Sequence, residues 1–454
     1  MNMRGYLLAG AGVAALSLAA CSMPLGSPDP LVGFGPNPSL RPPQKALIPT
    51  VGVPKVIHWQ AGDAPKAPPG FTVNRFAEGL DHPRWAYVLP NGDVLVSESA
   101  TEEAPADKMN QGIKGFFGKL LMKNVGSVQK SPNAIYLLRD QDGDGVAETR
   151  SLFASGLTRP FGMTLIGQTL YVANDNGVVS YPYADGQTSE AGSGTPVFSL
   201  PGGPINHHWT KNIVASPDGT RIYATTGSNS NVGDNGMAAE EGRAQIYEYN
   251  LATRQLRTFA TGIRNPNGMG FEPATGVLYT VSNERDEIGN DTPPDYLTSV
   301  RDGAFYGWPY SYYGQNVDVR AKPARPDLVA RAIAPDYGLG PHTASLGLTF
   351  YTAEAFPAPY RGGVFVGQHG SWNRKPLNGY RVVFVPFAGG KPQMPAQVFL
   401  TGFLSADDKI KGRPVGVAVD KRGALLVVDD VGGIVWRVAP GASVVTTTTT
   451  GPTS

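Results

Sequence analysis

The sequence predicts an all-β fold, a six-bladed β-propeller, and three observations carry that prediction. A strand-turn-strand unit with a similar opening recurs six times along the chain. Turn formers are abundant, with 57 glycines and 40 prolines in 454 residues, and they separate short apolar runs of strand length. The single cysteine leaves no disulfide to hold the fold, so its stability rests on packing.

The first element lies outside the propeller. Arg4 precedes a run of apolar and small residues from Gly5 to Ala20, too short and too rich in alanine and glycine to span a bilayer as a helix. Residues 1–20 therefore read as a secretory signal. The run closes on Leu18-Ala19-Ala20-Cys21, the pattern of a bacterial lipobox, which makes Cys21 the lipidation site and places the mature chain in the periplasm, anchored to a bacterial membrane and most simply the outer one. Residues 21–69 hold many prolines, few charges and no periodicity, as expected of an extended tether. Residues 441–454, with five consecutive threonines, read as an unstructured tail.

The repeats fill 70–440. The first opens with Gly79-Leu80-Asp81-His82-Pro83-Arg84, turns at Asn91-Gly92 and returns through Val94 to Glu98. The second opens Gly156 to Met163 and the third His207 to Val214, turning at Pro217-Asp218-Gly219. The fourth opens Gly262-Ile263-Arg264-Asn265-Pro266-Asn267-Gly268-Met269. A looser fifth runs Thr343 to Leu348, and the sixth is Gly412-Arg413-Pro414-Val415-Gly416-Val417. Radial repetition removes exposed sheet edges and brings the polar openings to one end of a common channel.

That channel mouth is expected to hold Arg84, His208, Arg264, Asn265 and Arg413. Guanidinium forks match carboxylates, so a planar polycarboxylate suits such a ring. The other reading pairs each arginine with a local acid. A formal charge of +1 argues against nucleic acid as a partner. Two acidic stretches could take Ca²⁺: the loop Ser282 to Asp291, and Asp140-Gln141-Asp142-Gly143-Asp144-Gly145 with Glu148, which starts like an EF-hand loop but lacks its length. For the second, a hairpin turn with or without a structural ion remains open.

The segments His208-Trp209-Thr210-Lys211-Asn212-Ile213-Val214, Gly262 to Gly268, Ser282 to Asp286 and Tyr306-Gly307-Trp308-Pro309, in that order, resemble the pyrroloquinoline quinone (PQQ) dehydrogenases of the L-sorbosone dehydrogenase and soluble aldose dehydrogenase type. The resemblance runs from about Phe71 to Val438 and includes Gly367 to Arg374. It implies PQQ and Ca²⁺ as cofactors, a sugar or sugar aldehyde as substrate, and a quinone or cytochrome as electron acceptor. It implies His208 as catalytic base and Arg84, Arg264, Asn265, Asn283, His369, Arg374 and Arg413 as cofactor contacts. Glu284, Arg285 and Asp286 then fall where the metal meets the quinone, although Glu284 and Arg285 replace a Gly-Pro pair whose carbonyls bind the ion in the aldose enzymes.

Two other classes use such a fold: a Ca²⁺-dependent lactonase, which needs convergent carboxylates, and a non-catalytic propeller that binds an envelope ligand. Residues 108–128 add a basic amphipathic helix, with Ile113, Phe116, Phe117, Leu120 and Leu121 at helical spacing. That helix suits a membrane surface, a lid over the channel, or simple packing on the propeller's flank.

Overall fold

The computed structural model describes residues 25–44, 50, 54–102, 130–190 and 192–441. The signal segment, Cys21, the insertion at 108–128 and the threonine tail lie outside the described residues.

Six antiparallel sheets follow one another along the chain, as the repeats predict. The first blade comprises Pro83–Val88, Val94–Glu98, Ala134–Arg139 and Thr149–Ala154; the second Met163–Ile166, Thr169–Asn174, Gly177–Pro182 and Thr195–Ser199. Ile213–Ala215, Arg221–Thr226, Gln245–Asn250 and Gln255–Thr261 form the third. The fourth has Pro266–Phe271, Leu278–Ser282, Pro294–Ser299 and Tyr337–Pro341, and the fifth Ser345–Phe350, Val364–Gln368, Arg381–Val385 and Gln397–Leu400. In the sixth, Pro414–Val419, Leu425–Asp429 and Ile434–Pro440 are joined by Phe71–Glu78 from the start of the domain, with Phe71 opposite Pro440 and Glu78 opposite Ile434. This exchange ties the start and the end of the domain into one sheet and so closes the ring.

Each repeat opening leads into the innermost strand of its blade, and these six strands touch in sequence around the axis, the sixth meeting the first. The approach is close enough to require glycine. A Cβ on Gly347 would sit 2.2 Å from the carbonyl oxygen of Val415 in the next blade, and one on Gly268 would sit 2.7 Å from that of Leu346. Between blades the packing is aliphatic and aromatic. Phe71, Phe356, Tyr360, Phe365, Phe384 and Phe399 stack edge to face beneath the last two blades, a geometry that adds to their burial energy.

The expected tether departs from the sequence reading. The described part of residues 21–69 lies against the propeller rather than extending from it. Phe34–Gly35 adds a fifth strand outside the fourth blade, opposite Leu339 and Gly338. Val56 bridges Ile410, and Trp59 packs on Trp436 at 5.0 Å while its indole N–H donates to Asp429 over 2.7 Å. Proline limits strand formation but leaves carbonyls free to accept, so a proline-rich chain can dock through its carbonyls and rings.

Replacing Gly347 with valine forces the Val415 carbonyl aside in a site with no free space. Denaturant unfolding is expected to show a loss of about 1 to 3 kcal/mol, the usual cost of overpacking; an unchanged midpoint would mean that the inner ring can expand.

Candidate active site

In each blade the chain entering the inner strand lies beside the chain leaving the second strand, because the two strands pair antiparallel. Pro83 faces Glu98, Pro266 faces Ser282, Ser345 faces Gln368 and Pro414 faces Asp429. One end of the channel is therefore lined by two loops per blade. The repeat openings supply Arg84, His208, Arg264, Asn265 and Arg413. The loops opposite supply Ser228, Asn283 to Asp286, His369 and Asp430. This second set carries no repeat signature; its signal is position, one to four residues past the second strand.

The first group gathers around His208 of the third blade. Its Nδ1 lies 2.8 Å from the Ser228 carbonyl and 2.9 Å from the Ser228 hydroxyl, which itself donates to the Ser230 carbonyl. With that hydroxyl proton committed, Nδ1 carries the ring proton and donates to the Ser228 carbonyl, leaving Nε2 as a bare acceptor. Burial, together with the Arg264 charge, pushes the imidazole well below the ordinary histidine range. Arg264 donates to the carboxylate of Asp286 over 2.7 Å, to the Glu284 carbonyl over 2.8 Å and to Asn231. Asp286 also accepts from Asn373 over 2.7 Å. Burial pushes its pKa up, but Arg264 and His342 outweigh this and hold it ionised far below the usual carboxylate range. Asn265 donates to Asn283, which donates in turn to the Ser345 carbonyl.

A second group centres on Asp430, buried where the sixth blade meets the first. Its carboxylate accepts from Arg84, from His369 Nε2 over 2.8 Å, and lies 3.7 Å from His82. Arg413 donates to the carbonyls of His369 and Gly370 over 2.9 and 2.7 Å. Burial and then the Arg413 charge push His369 down to about 3, so this histidine is neutral with Nε2–H turned to Asp430. Arg84 and Arg264 thus each meet an acid, as the local-pairing reading of the sequence allows. Nor do the arginines occupy one repeat position: Arg84 follows its proline, Arg413 precedes one, and Arg264 stands two before one.

The structure sets two of the sequence-predicted residues apart. Arg285 is buried with its guanidinium on Asp318 and on its own neighbour's carbonyl, Asp286. Arg374 turns outward to Asp291, Asn290 and Ser27. Both are consumed by ion pairs because a buried guanidinium must be neutralised. The 284–286 stretch does not fit a resident Ca²⁺ either: the Glu284 and Asp286 carbonyls accept from Arg264 and Arg285, and a cation would have to displace both guanidinium groups. Elsewhere, carboxylate oxygens of Asp140, Asp142, Asp144 and Glu148 lie within 4.8 Å of one another, although Asp140 accepts the N–H groups of Gly143 and Gly145 as a turn does.

Glu284 titrates in reverse of a surface acid. Burial pushes it up to about 7, against the lowering pull of the Arg285 N–H and of Arg264. A raised folded value means the native state holds a proton that the unfolded state loses from about pH 4.5 upward, so this group costs stability as pH rises from there to about 7. The variant Glu284→Gln is expected to lose less melting temperature than the parent between pH 5 and 8, as read by calorimetry; parallel curves would place the Glu284 carboxylate in water.

The comparisons with known proteins agree with this architecture. The TrAA12-like family model matches residues 127–310 and 324–440. An uncharacterized protein of Borreliella burgdorferi is 29% identical over 241 residues, covering 53% of this chain and 62% of that one. A pyrroloquinoline quinone-dependent pyranose dehydrogenase of Coprinopsis cinerea is 25% identical over 223 residues, 40% of this chain and 30% of that one. The chain thus spans less than two thirds of the length of these relatives. The holo form of the C. cinerea pyranose dehydrogenase PQQ domain superposes with a TM-score of 0.65 at 20% identity, covering 86% of this chain and 100% of that domain. The soluble aldose sugar dehydrogenase of Escherichia coli gives 0.55 at 17% identity, covering 82% and 100%; at such identities the likeness establishes the six-bladed fold. Because the family model covers most of the propeller, from the third strand of the first blade to the last of the sixth, the chain belongs to the TrAA12-like family.

Proposed function

We propose that this propeller is a PQQ-dependent dehydrogenase that oxidises a CH–OH group of a sugar or sugar aldehyde, with His208 as the base. The observation that carries the reading is the His208 imidazole, neutral and with its Nε2 lone pair free at the channel mouth beside Arg264. Pairing in the relatives points the same way, since the curated C. cinerea protein is a pyranose dehydrogenase that depends on this quinone. The residues fit a polar ligand that offers both an acceptor and a donor. Among the buried atoms of the described residues that make no hydrogen bond, two stand at the mouth, the donor Nε of Arg84 and the acceptor Oδ1 of Asn265, and burying such atoms is costly unless a ligand pairs with them.

Arg84, Arg264, Asn265 and Arg413 would hold the quinone, and when bound it supplies the acceptor for a hydride from the substrate carbon. His208 Nε2 takes the proton of the substrate hydroxyl. The Ser228 carbonyl stabilises the resulting imidazolium through Nδ1–H and keeps the ring in its orientation. Asp286 offsets the added positive charge beside Arg264. Asp286 and Asp430 are each committed to a guanidinium, so neither is free to ligate the metal of a lactonase.

The reading extends to the ends of the chain as a proposal: export to the periplasm, lipid attachment at Cys21, and delivery of electrons to a quinone or cytochrome acceptor. Among the described residues no helix is long and apolar enough to cross a membrane.

Titrating the protein with PQQ and then adding aldoses tests the reaction through the reduced-quinone absorption. His208→Ala is expected to keep PQQ affinity and lose turnover by about two to four decades; full activity in that variant rules His208 out. Because the folded histidine titrates below its usual range, the acid limb of kcat/KM is expected below about pH 6.5, and a limb above that value would assign the base elsewhere.

A further inference from the structure

We infer that residues 26–44 form a positioning strap for the site, in which the node of Ser27 with the buried Asp291 and Arg374 holds the loop that carries Asp286. The inference rests on the site reading above for its functional consequence, and on the structure alone for its mechanical part.

The strap binds the two loops that shape the His208 side of the mouth. Its Gly26 N–H donates to the Lys375 carbonyl over 2.7 Å. The Ser27 N–H donates to both oxygens of Asp291, at 3.1 and 2.9 Å, and Arg374 Nη2 donates to the Ser27 carbonyl and to Asp291, each at 2.7 Å. Further along, Arg381 reaches the Pro30 carbonyl over 2.6 Å, Thr292 donates to the Arg41 carbonyl over 2.9 Å, and the Gln44 N–H donates to the Ile288 carbonyl over 2.8 Å.

Each contacted loop leads to the site. Five residues before Asp291 stands Asp286, and one residue before Arg374 stands Asn373, and these two are hydrogen-bonded at 2.7 Å. Asp286 then holds Arg264, whose charge bears on His208. Residues 284–293 run between two strands without sheet pairing of their own, and such segments open at low free energy unless side chains tie them down. The fourth blade has four strands without Phe34–Gly35, and the ring is closed elsewhere by Phe71–Glu78. The strap is therefore superfluous to ring closure, and most of its bonds go to loops.

Gly26 offers a way to unseat the strap without altering either loop. A Cβ there would lie 2.8 Å from Asp291 Oδ1 and 2.9 Å from Arg374 Nη2. In the full chain, Gly26→Leu is expected to raise amide hydrogen exchange across 283–292 by about tenfold or more, with exchange in the second blade unchanged. PQQ affinity, read by fluorescence titration, is expected to fall by a similar factor. Gly26→Ala gives a milder displacement of the same contacts and is read instead if the leucine variant does not fold. Faster exchange in 25–44 with 283–292 unaltered overturns the strap. Faster exchange in both, in a protein whose parent form binds no PQQ, leaves the strap standing and removes the quinone reading.

Discussion

Closing six sheets on one axis forces the openings of six inner strands into a single small volume, and most other features follow from that crowding. The backbones approach until Gly268 and Gly347 have no room for a side chain. Polar groups that start the strands are carried inward with them. A guanidinium placed there needs an acid or several carbonyls to meet it, since breaking a buried ion pair by removing one partner costs about 3 to 5 kcal/mol. The loops after the second strands provide that acid, Asp430 of the neighbouring sixth blade for Arg84 and Asp286 of the same blade for Arg264.

This pairing shapes the chemistry available at the mouth. His208 and His369 are both neutral there, for the shared reasons of burial and a neighbouring guanidinium. They differ in what their ring protons do. His369 turns Nε2–H toward Asp430 and so helps to satisfy that carboxylate. His208 turns Nδ1–H to a backbone carbonyl and leaves Nε2 open. A neutral histidine with an open ring nitrogen can accept a proton, while Asp286 and Asp430 are already engaged with guanidinium groups.

The polar residues at the mouth are held from outside as well as from within. Asp286 is fixed to Arg264 on its inner side and to Asn373 on its outer side, and Asn373 adjoins the node built by Arg374, Asp291 and Ser27. A segment of low complexity in sequence thereby contributes to the order of a loop more than two hundred residues away.

The blade number was legible in the chain because the repeat openings carry proline, glycine and apolar residues in one pattern. His208, Arg264 and Asn265 could be picked out as members of those openings. Asp430, Ser228 and Asn373 could not, since nothing in the repeat pattern marks them and their roles arise from partners brought close by the fold, across the strand pair for Ser228 and from the neighbouring blade for Asp430 and Asn373. The same limit governs charge: sequence supplied the arginines, but only tertiary structure decided that Arg285 belongs to Asp318 and Arg374 to Asp291. Proline-rich composition likewise determined that residues 26–44 would form almost no sheet. That they are docked rather than free was decided by carbonyl acceptors meeting donors on distant loops, an interaction with no periodic trace in the sequence.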